Sequence, residues 1–381
     1  VSGDAQSSGL ADPAGFENDR RPANPPDPSA DPSMRNDSID AARFLSFVGV
    51  VVVHCFSSHR VFAFGASTAI DAAVRFAVPV FFLITGYLLH DARGGPADIV
   101  RRYFVRLVAA LTFWEVAFHL IDAVVIRLRP EGYRFSALPK ELGMILYTGG
   151  FPGHLWFLPW LFVSVALFVV ARRRLSPVGL AVAGAVSLAL GLAIGPYNVD
   201  VGLWPLVERH VLHPALYDAR DTPFFGFALL VVGHAVAVRG TTFRPGTATL
   251  LGLAAAGYLL QLVEARHIVD TSLALGIAKP WRFDILFGTM IYSAALFLFF
   301  LTRLPTGVIR ATAELGRRSL GMYCVHGAFL FLYRRRASLD DPPTGIEEIA
   351  ARFLLAAAIV VASAIVASLL ARLPWLRRFV H

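Results

Sequence analysis

The sequence predicts an all-α polytopic membrane protein, with about ten transmembrane helices surrounding an intramembrane cavity. Three observations predict it. First, 56% of the 381 residues are hydrophobic and 16% are charged, with a mean hydropathy of +0.60, a balance unlike that of a water-soluble domain. Second, long apolar runs fill 41–57, 72–90, 104–126, 151–171, 176–195, 222–238, 247–263, 283–302, 319–333 and 349–371. A helical span needs about 20 mostly apolar residues, because the hydrocarbon core is about 30 Å thick. Third, the runs lack the two-residue alternation of barrel strands. Helices satisfy their backbone groups internally, as a medium without water requires.

Taken in order, residues 1–38 form a separate tail with six prolines between Pro13 and Pro32 among Asp, Ser, Ala and Asn. That composition predicts disorder. The tail lacks a basic start followed by a short apolar stretch, so the first span is expected to direct insertion. Residues 39–381 form the transmembrane domain. With a cytosolic N-terminus, the cytosolic side carries Arg93, Arg101, Arg102 and Arg106, then Arg172 to Arg174, Arg239, Arg244, Arg303, Arg310, Arg317, Arg318, Arg377 and Arg378, while the opposite loops hold Arg334 to Arg336. The positive-inside rule favours that orientation. An even number of spans in the cytoplasmic (inner) membrane then leaves both termini in the cytosol.

The formal charge of +8 comes from basic residues scattered through short loops, which argues against nucleic acid as a partner. Membrane lipid is the expected surrounding. Cys55 and Cys324 lie singly in apolar runs, and no metal-ligand spacing occurs. They read as small packing residues. No internal repeat marks two related halves, and the sequence leaves oligomeric state open.

The chemistry-bearing residues lie within the spans. The first span reads RFLSFVGVVVVH from Arg43 to His54. Eleven helical steps return to within about 20° of the starting face and rise about 16 Å. Both side chains therefore share one stripe at different depths. Ionisable groups in hydrocarbon usually face a protein interior or a watery cavity. An arginine at a span entrance can also be a snorkelling anchor, and a buried histidine a packing residue. The second span reads RFAVPVFFLITGYLL from Arg75, the fourth begins GHLWFLPWLF, and the ninth reads SLGMYCVHGAFL from Ser319. In the third span, Glu115 and His119 are spaced to pair on one helix face. They read equally as tuning a cavity or holding the bundle together.

Together these segments resemble the acyltransferase-3 family of membrane acyltransferases. The Arg–ten residues–His signature, the Pro-Val-Phe-Phe segment ending at Thr85 and Gly86, the LWFL segment and the Ser319–His326 segment occur in family order. Arg75 with Pro79 is most similar to the branch that acylates surface polysaccharides. The resemblance implies O-acyl transfer, commonly O-acetylation, from acyl-CoA (acetyl-CoA) as donor to a hydroxyl of a glycan or lipid-linked sugar, without a metal. His54 is then the catalytic candidate, as general base or as acyl carrier. Tyr323, His326 and Ser319 can stabilise an oxyanion or orient the acceptor, or serve as interhelical glue. Arg43, Arg101, Arg102 and Arg106 suit the phosphates of the donor, since guanidinium binds phosphate bidentately. The family pattern sets two arginines three apart, whereas Arg102 and Arg106 are four apart, which leaves the matching pair open. Arg75, Trp156 and His154 are the acceptor-binding candidates, and Gly86 is expected to allow a close helix approach. The alternative function is a multi-helix transporter or exporter of a polysaccharide precursor or small molecule.

Overall fold

The computed structural model describes residues 32–56, 65–127, 154–203, 222–240, 245–275, 284–334, 339 and 341–379. Among the described residues every regular element is a helix. In chain order these are α1 Pro32–Phe56, α2 Ala66–Val74, α3 Ala77–Leu88, α4 Pro96–Arg127, α5 Phe157–Arg174 and α6 Pro177–Ile194. Then follow α7 Pro223–Arg239, α8 Thr247–Ala274, α9 Phe287–Arg303, α10 Thr306–Gly316, α11 Ser319–Arg334, α12 Ile346–Ala371 and a 3-10 turn at Arg377–Phe379. α1 begins at Pro32, inside the 1–38 stretch, and residues 1–31 lie outside the described residues.

Each of the ten apolar runs holds a helix, but not all are long and apolar enough to cross a membrane. Six are: Asp37–Phe56, Ala66–Leu88 across the α2/α3 junction, Pro96–Ile121, α6, α8 and α12. The bent pair α9 and α10, turned by 109° at Leu304 and Pro305, raises the number to seven. The shortfall from ten has physical causes. α5 ends in Arg172, Arg173 and Arg174, while α7 and α11 are 17 and 16 residues long.

The second span breaks where Pro79 requires it. Proline lacks the N–H that would bond the carbonyl four residues back, at Arg75, and its ring clashes there. The helix therefore stops at Val74 and resumes at Ala77. In hydrocarbon, backbone groups at such a break need other partners. Tyr258 donates to the Ala69 carbonyl at 3.0 Å, Gln261 to that of Ala72 at 2.9 Å and Tyr292 to that of Ala73 at 2.8 Å. These side chains come from α8 and α9.

Glycines set the closest helix contacts. A Cβ on Gly86 would collide with the backbone of Leu230 in α7, and one on Gly233 with that of Leu83 in α3. The close approach expected at Gly86 is thus present and reciprocal. Gly257 and Gly288 do the same for α8 and α9, where a Cβ on Gly257 would lie 2.6 Å from the Tyr292 nitrogen. α1 is the hub, packing against α2, α3, α9, α10, α11 and α12. Side chains such as Val182 and Val186 of α6, Leu259 and Val263 of α8 and Leu354 and Val361 of α12 point outward. Such an apolar exterior suits lipid rather than water.

Candidate active site

His54 lies in the last turn of α1, where carbonyls run out of intrahelical donors. Arg334 of α11 donates to the His54 carbonyl at 3.4 Å, and Arg352 of α12 to that of Cys55 at 3.0 Å. The two guanidinium groups both satisfy this helix end and complement its negative pole. The imidazole of His54 faces inward and lines a pocket with Arg75, Pro79, Trp156, Asp284 and Tyr323. Five separate stretches of sequence meet there.

Arg75 enters the pocket from the break that Pro79 imposes. Its Nε and Nη2 reach Asp71 Oδ2 at 2.8 and 2.7 Å, and its Nη1 is bonded to Asp284 just ahead of α9. The three side chains are 12%, 6% and 9% exposed, so the guanidinium charge is neutralised where water is scarce. The acceptor-binding reading of Arg75 thus gains two carboxylates that the sequence reading passed over. Asp71 had a visible signal, an acid four residues before an arginine inside an apolar run. Asp284 had none, being 209 residues away.

Behind His54 stand two further histidines. The rings of His54 and His326 are 5.3 Å apart between centroids, and those of His326 and His154 are 5.1 Å apart, edge to face. His326 is fully buried and His154 is 4% exposed. His326 Nδ1 bonds the Tyr323 carbonyl, His154 Nε2 lies 3.0 Å from the Cys324 carbonyl, and the Tyr323 hydroxyl donates to the His154 carbonyl. The phenolic proton of Tyr323 is thereby committed to backbone, while its side chain walls the pocket. Gly327 makes room for this layer, since a Cβ there would collide with the His154 ring.

Of the remaining candidates, Trp156 alone reaches the pocket. Trp156 sits at the N-cap of α5, lines the pocket and is 8% exposed. Ser319 is buried at the start of α11, about 10 Å of helical rise from His326, and does not line the pocket. Arg43 lies toward the other end of α1, 31% exposed, with Nη1 2.6 Å from Asp40 Oδ1. Arg106 of α4 is close enough for the Arg43 charge to act on it. Arg102 is on the same side and donates to the Arg93 carbonyl, and Arg101 is exposed. His119 Nδ1 is 3.8 Å from Glu115 Oε2, the pairing expected from their spacing. Cys55 and Cys324 are both buried and form no disulfide among the described residues. Among the described residues no cluster of three or more His, Cys, Asp or Glu is arranged to hold a metal ion.

A family model described as an acyltransferase domain, acyltransferase-3, matches residues 36–372. The chain belongs to the acyltransferase-3 family of membrane acyltransferases. It is also 23% identical over 313 residues to a serine/alanine racemase of Enterococcus gallinarum, a match covering 77% of this chain and 40% of that protein. The chain thus spans less than half the length of that relative. No solved structure matches the chain.

Proposed function

We propose that the protein is an O-acyltransferase of the cytoplasmic membrane, moving an acyl group, most simply acetyl, from cytosolic acyl-CoA to a hydroxyl of a glycan or lipid-linked sugar. The observation that carries this reading is the pocket in which His54 meets Arg75, Asp284, Trp156 and Tyr323. It gathers what transfer to a sugar hydroxyl needs: a base, hydrogen-bonding charges and an aromatic wall for a ring. Family membership supplies the reaction class.

In this reading His54 takes the proton of the acceptor hydroxyl as its oxygen attacks the thioester carbon, or carries the acyl group between two half-reactions. Arg75, fixed between Asp71 and Asp284, orients the acceptor, and Trp156 stacks on its ring. Arg43, Arg102 and Arg106 receive the donor phosphates at the opposite end of α1. With the N-terminal end of α1 in the cytosol, the donor approaches from the cytosolic side.

The test uses purified protein in detergent with labelled acetyl-CoA and a saccharide acceptor. The wild type is expected to transfer the label, and His54→Ala, with an unchanged melting transition, to lose transfer by at least about 100-fold. Saccharide movement into vesicles without acyl transfer would replace this function with transport.

A further inference from the structure

The histidines behind the pocket carry more than packing. A carbonyl can only accept, so the nitrogen of His326 that bonds the Tyr323 carbonyl carries the ring proton. Neutral His326 is therefore the Nδ1–H tautomer, with a bare lone pair on Nε2. That Nε2 is buried and has no hydrogen-bond partner among the described residues, in a side chain that is 0% exposed. A buried acceptor left without a donor is costly, and such atoms often mark function. His154 repeats the pattern, with Nε2 on the Cys324 carbonyl and Nδ1 unpartnered. Two pocket-lining rings neighbour His326: Tyr323, at 5.5 Å between centroids, and His54, at 5.3 Å with planes 39° apart. At that centroid separation, facing nitrogens of two imidazoles come within hydrogen-bond reach.

The geometry points to His326 as the positioning residue of His54, its Nε2 accepting the N–H of the imidazolium formed during transfer. This inference rests on the proposed acyl transfer with His54 as base. As the acceptor oxygen bonds the acyl carbon, its proton moves to one nitrogen of His54 and the carbon–sulfur bond breaks. The same proton then passes to the departing thiolate. In between, the second N–H of His54 needs an acceptor, the place an aspartate fills in a hydrolase triad. Here a neutral imidazole fills it, with its tautomer set by a carbonyl three residues back on the same helix. The lone pair of Nε2 is thus held ready before substrate arrives, which avoids placing another carboxylate in the span.

Two substitutions separate this role from packing. His326→Asn keeps a donor for the Tyr323 carbonyl but has no acceptor at the ε position. His326→Gln carries an amide oxygen near the ε position and gives up the donor. With labelled acetyl-CoA and a saccharide acceptor, His326→Asn is expected to lower kcat by about 100-fold while both KM values stay near wild type, and His326→Gln to recover most of kcat. Equal activity of the two variants, whether both high or both low, overturns the assignment. If His326→Asn fails to give a folded protein in detergent, the glutamine variant decides. Near-wild-type kcat then supports the role, and a kcat as low as that of His54→Ala overturns it. A wild type that transfers no label overturns the proposed function and this inference with it, whereas an active wild type beside an equally active His326→Asn overturns this inference alone.

Discussion

Gly327 decides where His154 sits. Its missing side chain is filled by the His154 ring, so Gly327→Ala must displace either the ring or α11. Overpacking of this kind costs about 1–3 kcal/mol. The expected result is a lower melting temperature in detergent together with reduced transfer. Gly252, with nothing within 4 Å of an added Cβ, is the control, and Gly252→Ala is expected to leave both unchanged. An unchanged Gly327→Ala protein would show that the histidine layer is not tightly packed. At this scale the sequence picked out much of the pocket lining. His54, Arg75, Trp156 and Tyr323 all came from short motifs and all face one pocket. What it hid was the partners. Asp284 is remote in sequence, and the edge-to-face contact of His154 with His326 depends on how the residues ahead of α5 meet α11.

The break between α2 and α3 shows how one residue shapes an element and, through it, the site. Pro79→Ala would restore an N–H for the Arg75 carbonyl and let the helix run straight through Arg75 and Phe76. That change would turn Arg75 away from Asp284. The expected outcome is a raised KM for the acceptor with the KM for acyl-CoA unchanged. An equal rise in both would mean that the break serves stability rather than the pocket. Pro79 could be read from the sequence, but the side chains that answer it could not, since Tyr258, Gln261 and Tyr292 sit in other helices. α10 was not foreseen at all. Its eleven residues include Arg310 and Glu314, and a short amphipathic stretch after a proline reads as loop. Only its packing on α1, with Ile309 and Ala313 against Ala41, reveals its role.

For the whole molecule, α1 separates two chemically different ends. At one, Arg43 and Arg106 lie near each other, and Arg317 ties α10 to Asp37 at 2.6 Å and Asp40 at 3.4 Å. At the other lies the His54 pocket. If the basic end receives the donor phosphates, Arg43→Gln is expected to raise the KM for acyl-CoA about tenfold, equivalent to about 1.4 kcal/mol, with a smaller change in kcat. An unchanged KM would leave Arg43 as an anchor. Orientation has its own measurement. A maleimide too polar to cross the membrane is expected to label Arg173→Cys only after cells are opened, and labelling of intact cells would invert the arrangement. The fold class was legible from hydropathy alone, because an apolar run of sufficient length has few other fates. The number of crossings was less so. Hydropathy marks where apolar helices lie, whereas crossing also depends on helix length, on arginine triplets such as that ending α5 and on bends such as that at Pro305.

The glycine contacts described above fasten α3 to α7 and α8 to α9 back to back, making each pair a single stiff plank. Arg75 leads into the first plank and Asp284 stands at the head of the second, so their ion pair is the clasp across the seam. Separation of the two planks would break this ion pair. In the proposed reading, one guanidinium would then both hold the seam and bind the acceptor.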